Sequence, residues 1–310
     1  MKRYIKILFC GLLLFSVVSC MKQEEFTESI FVDEPDLDPG SETYLFDKWL
    51  YDNYLTPYNL DFRYKMQDVG SDIAYNLIPT TLDKSMEMAI LVKYLWFDVY
   101  GKVVAADFLK QNGPRIIHLI GSPAYNPTLG TIVLGTAEGG IKVTLYRCNE
   151  LSSSNIDMMN EYYFKTMHHE FAHILHQKKT YPKEFEAFTA GYYDPMGWQF
   201  RTLSEAASLG CVSPYGSSQP QEDFVEIIAN YIVKTDAQWN AILTLAANPG
   251  IDVSGQVVPD NLEGDVIIRA KLEMARKWLA ESWGIDLQAL RDEVQERQKH
   301  INEILNQKYW

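Results

Sequence analysis

The stretch KTMHHEFAHILHQK, residues 165–178, contains two histidines four residues apart, His169 and His173, with Glu170 directly after the first. In a helix such residues lie one above the other on the same face, so both imidazoles reach a single metal ion. A carboxylate beside the first histidine is placed to take a proton from a water on that ion. The spacing predicts a helix that carries a zinc site, with His169 and His173 as ligands and Glu170 as general base.

The other two histidines of this stretch, His168 and His176, are not predicted as ligands. His176 lies two turns beyond His169, and on an unbroken helix its ring falls too far along the axis to complete a tetrahedron. A motif with a third histidine ligand is also excluded, because it needs glycine and histidine where His176 and Lys179 stand. For His168, whose i+4 neighbour is Ala172, we expect a contact to a ligand side chain or to solvent.

A third ligand is predicted in the downstream stretch EDFVE, residues 222–226. Its first and last carboxylates, Glu222 and Glu226, lie one turn apart on the same side of a helix. This arrangement resembles the gluzincin layout, which implies that Glu222 completes the zinc site and that Glu226 holds a ligand histidine by a hydrogen bond. An acidic helix start favoured by the helix dipole is the alternative, and the upstream motif favours the metal site. Imidazole and carboxylate ligands also accept other divalent metals.

The whole chain has 310 residues, of which 47% are hydrophobic, and a formal net charge of −13. Such a chain is long and apolar enough to bury a core, so a disordered protein is excluded. An acidic surface repels phosphate backbones, and the sequence contains no basic cluster that would override this field. Nucleic acid is therefore excluded as a partner.

Residues 1–19 have the character of a secretion signal that is removed from the mature protein. Basic residues open the segment, and the apolar stretch from Ile7 to Val18 is too short for a comfortable permanent membrane span. The sequence VVSC, which ends at Cys20, resembles the lipobox of bacterial lipoproteins, whose cysteine is lipidated. The acidic residues Glu24 and Glu25, shortly after Cys20, resemble the surface-export signal of some Gram-negative outer-membrane lipoproteins. This implies a lipid anchor that displays the protein on the outer membrane; a periplasm-facing lipoprotein is the alternative.

Beyond the signal, the sequence divides into a tether and one catalytic domain. Residues 20–40 hold the lipidated cysteine and are rich in Asp, Glu and Pro, a composition that cannot bury a core. Residues 41–310 are predicted to form the catalytic domain. Its N-terminal part, 41–150, contains helices and a sheet, and its C-terminal part, 151–310, contains the zinc-site helix and further helices.

The predicted fold class is α+β: a zincin-like arrangement of a small mixed sheet, an active-site helix and a mainly helical C-terminal half. Three strands are predicted from short apolar and β-branched runs: Ile116–Ile120, Thr131–Leu134 and Ile141–Tyr146. Helical periodicity predicts a helix capped by Ser41 and ended by Thr56-Pro57, a second from Thr81 to near Gly101, the zinc helix from near Asn155 past His176, and two long helices at Asp265–Trp283 and Leu287–Leu305.

Two cysteines remain for the mature domain, Cys148 and Cys211, because Cys10 lies in the signal and Cys20 takes the lipid. In an oxidising compartment they form either one disulfide or two buried free thiols, and the sequence leaves both open. A group of bulky side chains between the two zinc segments provides either cleft walls above the metal or, for most of them, core packing: Tyr192, Tyr193, Trp198, Phe200 and Arg201.

The segment Ser213-Pro214-Tyr215 lies just upstream of Glu222, with Tyr215 seven residues before it. Together with the HEFAH motif, this arrangement resembles the catalytic region of anthrax lethal factor-like gluzincins. In that family the matching glutamate binds zinc and the matching tyrosine hydrogen-bonds the transition-state oxyanion. The resemblance implies these roles for Glu222 and Tyr215, and a phenol suits a developing negative charge.

A closer resemblance is to the substrate import-associated zinc metallohydrolase lipoproteins, which accompany outer-membrane importers of the SusC and SusD type. It spans most of the chain and includes the lipoprotein signal, the HEFAH segment followed by Gln177, the SPY segment that ends at Tyr215, and the EDFVE segment. It implies a Zn²⁺-dependent hydrolase near such an importer, and it implies no particular substrate.

Three functions are compatible with these motifs. Hydrolysis of a peptide or glycopeptide is the first hypothesis, because nearly all folds with this ligand set act on peptide bonds. An amidase or deacylase acting on glycan or cell-wall fragments is the second. The third is a non-catalytic, substrate-binding accessory lipoprotein with a structural or idle zinc site. Three protein ligands leave a coordination position open, which favours a catalytic site over a structural one.

Overall fold

The computed structural model of the chain describes residues 37–66, 76–126, 131–133, 135–138, 141–258 and 263–309. The chain divides into two units, Met1–Gly40 and Ser41–Trp310. The predicted signal peptide, the lipidation site Cys20 and most of the predicted tether lie outside the described residues. Within the described ranges, no helix combines the length and the apolar character that crossing a membrane requires.

Helices make up most of the described structure. The α-helices are, in chain order, α1 Tyr44–Leu50, α2 Thr56–Tyr58, α3 Leu82–Val92, α4 Asp98–Val103, α5 Phe108–Asn112, α6 Ile156–Met159, α7 Lys165–Lys178, α8 Glu184–Ala187, α9 Leu203–Ser208, α10 Pro220–Val233, α11 Asp236–Ala246, α12 Gly264–Trp283, α13 Leu287–Gln298 and α14 Ile301–Leu305. Three π-helical turns join consecutive α-helices without a break: Tyr51–Leu55, Lys93–Phe97 and Asn160–Phe164. Three short 3₁₀ turns are Cys148–Glu150, Trp198–Phe200 and Tyr215–Ser217.

The strands form one four-stranded sheet and two small hairpin-like pairs. The strands are β1 Asp61–Arg63, β2 Ile116–Leu119, β3 Ala124–Asn126, β4 Thr131–Val133, β5 Gly135–Glu138, β6 Lys142–Leu145, β7 Gly250–Ile251 and β8 Val257–Val258. The large sheet has the order β1-β2-β6-β5, in which β1, β2 and β6 run parallel and β5 pairs antiparallel to β6. The sheet is therefore small and mixed, and the predicted α+β class is confirmed.

The centre of the sheet lies in the hydrophobic core because its two middle strands are apolar. Ile117 and Leu119 of β2 and Val143 and Leu145 of β6 are all buried. The register pairs Ile117 with Val143 across the two parallel strands. At the sheet edge, β5 lies next to helix α7. The sheet thus presents one antiparallel edge strand alongside the helix that carries the histidine motif.

The zinc-motif helix begins where the sequence predicts. Asn155 caps α6, and its side-chain oxygen accepts a hydrogen bond from the Met158 amide at 3.0 Å. The π-helical turn Asn160–Phe164 then leads directly into α7. Helix α10 crosses α7 and also packs on α12 and α13. Because α10 is buried over nearly its whole length, its position relative to α7 is fixed by packing.

Several predicted boundaries in the N-terminal part are wrong. The first helix is preceded by Thr43 rather than Ser41, and it continues past Pro57 to Tyr58, where Asn59 ends it in the left-handed region at φ 51°. Proline fits because a π-helical turn precedes it: the Thr56 amide bonds to the Tyr51 carbonyl, five residues earlier. The α-helical ladder is therefore already interrupted at this point.

Other boundaries also differ from the predictions. Gly101 lies inside α4, which continues to Val103. The predicted helix Leu287–Leu305 is divided at Lys299 and His300 into α13 and α14. Three strands were predicted in the region that contains β2, β4 and β6, and the additional strands β1, β3 and β5 were not. Unlike the predicted strands, these three contain no run of Ile, Val or Leu, since their sequences are DFR, AYN and GTAE.

Candidate metal centre

Three side-chain atoms from two helices converge on one point. His169 Nε2 lies 3.2 Å from His173 Nε2, and each of these atoms lies 3.2 Å from Glu222 Oε2. Zinc bonds of about 2.0–2.1 Å at tetrahedral angles separate ligand atoms by roughly 3.3 Å. The three atoms therefore fit three corners of a zinc tetrahedron, and the fourth corner is left for a non-protein ligand.

Each ligand is presented by the local structure of its helix. The four-residue spacing brings His169 and His173 to the same face of α7. Glu222 lies in the first turn of α10, which begins at Pro220, a residue suited to a helix start because it lacks an amide hydrogen. A carboxylate is also favoured in the first turn by the helix dipole. The packing of α10 on α7 then brings Glu222 to the two histidines.

Glu226 lies one turn after Glu222 and binds the far side of the first ligand. Its Oε1 atom is 2.8 Å from His169 Nδ1, so the imidazole donates to the carboxylate when its Nε2 faces a metal. The second carboxylate oxygen, Oε2, accepts hydrogen bonds from Ser213 Oγ at 2.5 Å and Asn230 Nδ2 at 3.1 Å. Glu226 is only 3% exposed, and these partners satisfy its buried charge.

The electrostatics of the site favour a cation. Burial opposes ionisation of Glu222, but hydrogen bonds from His169 and His173 outweigh it and hold the pKa of the carboxyl well below its usual range. Burial likewise opposes ionisation of Glu226, but the charge of Lys165 and the hydrogen bond with His169 lower its pKa to about 2. Both carboxylates are therefore ionised at neutral pH, next to the two imidazoles.

Glu170 lines the same cavity as the three converging side chains. Burial raises the pKa of its carboxyl above the usual value of 4.5, and the neighbouring carboxylates act in the same direction, while positive charge on His169 and His173 lowers it. A carboxylate with a raised pKa is a better proton acceptor, so Glu170 has the position and the basicity of a general base.

Tyr215 is placed by the 3₁₀ turn that leads into α10. Its ring centroid lies 5.8 Å from that of His169, and Trp198 packs against its other side at 4.9 Å, edge to face. The hydroxyl remains protonated at neutral pH, because burial and the carboxylate of Glu222 raise its pKa well above 10. With 38% of the residue exposed, its phenol is available as a hydrogen-bond donor to a ligand in the cleft.

Two histidines of the motif, His168 and His176, are not among the three ligands. Of these two, only His176 contacts a ligand. Its Nε2 atom lies 2.9 Å from His173 Nδ1. Burial lowers the pKa of His176 to about 4, so the imidazole is neutral at physiological pH. The sequence excludes His176 as a direct ligand, and it contains a signal for this contact, because residues three apart on a helix are neighbours.

An open cavity of about 750 Å³ gives access to the metal centre. Its walls come from the zinc helix, from the segment that follows it and from the start of α10. Among the described residues, the lining contains no aliphatic side chain and consists of His169, Glu170, His173, His176, Gln177, Thr180, Tyr181, Lys183, Glu186, Tyr215, Gln221 and Glu222. Such a polar, open cleft suits a hydrophilic substrate.

The expectation for His168 is wrong. Its ring is 1% exposed and lies in the core, with Nδ1 at 3.1 Å from the Tyr100 hydroxyl, instead of contacting a ligand or solvent. On a helix, neighbouring residues point about 100° apart, and the side of α7 that carries His168 faces the N-terminal helices.

The sequence left open whether the two cysteines form a disulfide or remain free thiols. In the structure Cys148 and Cys211 are both buried and free.

The bulky residues between the zinc segments divide into different roles. None of the five is buried, so core packing, expected for most of them, is wrong; Tyr192 and Phe200 are exposed, at 40% and 69%. Trp198 packs on Tyr215, as a cleft wall would. Tyr193 donates from its hydroxyl to Asp223 Oδ2 at 2.8 Å, and Arg201 Nη1 donates to a backbone carbonyl at 3.3 Å.

Comparisons with known proteins agree with this geometry. A family model described as "Putative zinc-binding metallo-peptidase" matches residues 41–288. A crystal structure from Bacteroides caccae ATCC 43185, described as a putative zinc-binding metallo-peptidase, is 44% identical in sequence and has a TM-score of 0.71. That match covers 89% of this chain and 97% of the other. Among curated proteins, none matches the chain.

Proposed function

Because the chain belongs to the family described as putative zinc-binding metallo-peptidases, we propose that it is a gluzincin-type zinc metallopeptidase. The observation that carries the proposal is the triangle of His169 Nε2, His173 Nε2 and Glu222 Oε2, with every side 3.2 Å long. Two histidines and one glutamate with an open fourth position form a catalytic rather than a structural zinc set, since structural sites close all four positions.

The surrounding residues supply the remaining parts of an amide hydrolase. When bound, zinc supplies a Lewis acid that polarises a carbonyl and makes a coordinated water acidic. Glu170 takes a proton from the attacking water and passes it to the leaving amine. Tyr215 donates a hydrogen bond to the oxyanion that develops on the substrate. Glu226 keeps the His169 ring in its orientation throughout.

The shape of the site supports a peptide or glycopeptide substrate. Strand β5 is an edge strand beside the zinc helix, and an extended peptide can add to such an edge through backbone hydrogen bonds. The cleft is open and has a volume of about 750 Å³, room for several residues of an extended chain. Its polar lining suits the backbone and polar side chains of a peptide.

The test is to measure metal content and peptide cleavage for the chain without its first twenty residues. We expect about one zinc per chain and cleavage of peptides in a broad library. Glu170→Gln should retain the metal and lose turnover, whereas Glu222→Ala should lose the metal. Glu273→Ala, at an exposed position on α12 outside the cleft, is the matched control. Zinc without peptide cleavage would favour an amidase or a binding protein, and unchanged zinc affinity in Glu222→Ala would exclude the gluzincin assignment.

We further propose that a lipid on Cys20 anchors the protein at the outer-membrane surface, beside a SusC/SusD-type importer. The support comes from sequence: the lipobox-like VVSC, the acidic residues that follow it and the resemblance to import-associated lipoproteins. Metabolic labelling with radioactive palmitate should mark the wild-type protein and not Cys20→Ala. Protease treatment of intact cells should then digest the wild-type domain if it is displayed outside, and should leave it intact if it faces the periplasm.

A further inference from the structure

The two histidine ligands differ in what holds their outward-facing nitrogens. His169 Nδ1 is bound by a carboxylate oxygen of Glu226 at 2.8 Å. His173 Nδ1 is bound instead by an imidazole nitrogen, His176 Nε2, at 2.9 Å. A ligand histidine usually needs a hydrogen-bond acceptor at this nitrogen, because the bond fixes both its tautomer and the direction of its ring.

The direction of the hydrogen bond between the two imidazoles follows from the metal site. If His173 Nε2 binds zinc, the proton of the neutral ring must lie on Nδ1, and this nitrogen is the donor. His176 Nε2 is then the acceptor, and the proton of His176 must lie on its own Nδ1. We propose that His176 is a positioning residue that orients His173 for metal binding, as Glu226 orients His169. This inference rests on the proposed ligand role of His173.

The surroundings of His176 hold it in place for this role. Its ring packs edge to face on Tyr181, with the centroids 5.5 Å apart. Tyr181 in turn stacks on Phe224 at 4.3 Å, and Phe224 is completely buried on helix α10. A continuous row of rings thus runs from the second ligand, His173, to the helix that supplies the third, Glu222. The orientation of His173 is therefore coupled to the packing of α10 on α7.

The choice of acceptor also has a chemical consequence. Glu226 adds a negative charge next to the site, whereas the neutral imidazole of His176 orients its ligand without adding one. A carboxylate at this position would lie near Glu222, whose charge acts on His176, and would be repelled by it. A neutral acceptor avoids that repulsion and still fixes the ring, so a residue without charge is suited to position 176.

Zinc affinity, measured by competition with a chromophoric chelator, tests the proposal without relying on turnover. We expect His176→Ala to bind zinc about tenfold to a hundredfold more weakly than wild type. His176→Gln keeps an acceptor of similar reach and should recover most of the loss. His300→Ala, at a partly exposed histidine outside the cavity lining, is the matched control and should bind like wild type. Equal affinity of His176→Ala and wild type would overturn the inference while leaving the proposed function intact.

A spectroscopic readout on the unmodified protein complements the variants. In the zinc-loaded chain labelled with ¹⁵N at histidine, we expect the ring-nitrogen shifts of His176 to show the proton on Nδ1. Free histidine prefers the other tautomer, so this result would not arise from an unconstrained ring. A proton on His176 Nε2 would overturn the inference. A wild-type chain that binds no zinc would overturn the proposed function, and the inference with it.

Discussion

At the scale of single residues, Glu226 shows how the site holds a buried charge. The carboxylate is 3% exposed, and a buried ion is stable only when its hydrogen-bonding capacity is filled. His169, Ser213 and Asn230 fill it from three directions. Glu226 therefore serves two purposes, because it orients the first zinc ligand and also ties Ser213, in the segment that carries Tyr215, to helix α10.

We predict that Glu226→Gln weakens zinc binding by about tenfold to a hundredfold, since the amide is a weaker acceptor for the His169 ring. The effect should be smaller than that of Glu222→Ala, which removes a ligand. Isothermal titration with zinc measures both. Glu273→Gln, which changes an exposed carboxylate on α12, serves as the control. If Glu226→Gln bound zinc as tightly as this control, the proposed support of His169 would be wrong.

The pH dependence of turnover should report on Glu170. Burial raises the pKa of this carboxyl above its usual 4.5, and a general base acts only in its ionised form. Activity is therefore present above the raised pKa and lost as pH falls through it. We expect the acid limb of the kcat/KM profile to have its midpoint above 4.5. Circular dichroism at each pH must show that the fold persists, and a midpoint at or below 4.5 would contradict the prediction.

The metal centre shows what single residues in a sequence can and cannot predict. The ligand pair His169 and His173 follows from spacing alone, because the helix geometry fixes how residues four apart are related. Glu222 needed the resemblance to a known family, since no local rule relates it to His173, 49 residues earlier in the chain. The i+3 spacing places His176 beside His173 on the helix, but the contact of their nitrogens also depends on a rotamer and on the packing of Tyr181.

At the scale of secondary-structure elements, a buried ion pair links the third ligand's helix to α12. Lys271 of α12 pairs with Asp223 of α10, and neither side chain is more than 1% exposed. Lys271 Nζ also donates to the Gly210 carbonyl at 2.9 Å, and Asp223 accepts from the Tyr193 hydroxyl at 2.8 Å. Because Asp223 directly follows Glu222, this pair fixes the turn of α10 that carries the ligand.

We predict that Lys271→Met lowers the free energy of unfolding by about 3–5 kcal/mol, because it leaves the Asp223 carboxylate buried without its counter-ion. Replacing both partners, as Lys271→Met with Asp223→Leu, should recover a large part of the loss. Lys277→Met, on the same helix at a position with a 71% exposed side chain, should change the value by less than about 0.5 kcal/mol. Urea unfolding measures all three, and equal effects at the two lysines would refute the prediction.

The elements themselves could be predicted where their periodic pattern is long. Helices α7 and α10 have 14 residues each and α12 has 20. Over such lengths the helical spacing of buried apolar residues can be recognised in the sequence. Strand β5, with the sequence Gly135-Thr136-Ala137-Glu138, has little strand propensity and forms because it pairs with β6. The π-helical turns have no sequence signature that periodicity would detect.

At the scale of the whole molecule, the zinc site joins parts of the chain that the sequence separates. Helix α7 supplies two ligands and α10 the third, and α10 in turn packs on α12 and α13. A bound zinc ion would therefore cross-link α7 and α10. The two thiols of the described part of the chain are free, so in that part no disulfide adds a second cross-link. The overall α+β arrangement was predictable from the order of strands before helices, whereas the crossing of α7 and α10 depends on long-range packing.

This cross-link leads to a prediction about the stability of the entire domain. A metal that binds only the folded state stabilises it by about 4 kcal/mol when its free concentration is a thousandfold above Kd. For a domain of this size, such a change corresponds to a shift in Tm on the order of ten degrees. We therefore expect a chelator to lower the Tm of the zinc-loaded wild type by this amount and added zinc to restore it. Glu222→Ala, which lacks one corner of the site, should melt at nearly the same temperature with and without chelator. An equal chelator effect on wild type and variant would mean that the metal acts elsewhere, since the α7–α10 cross-link requires all three ligands.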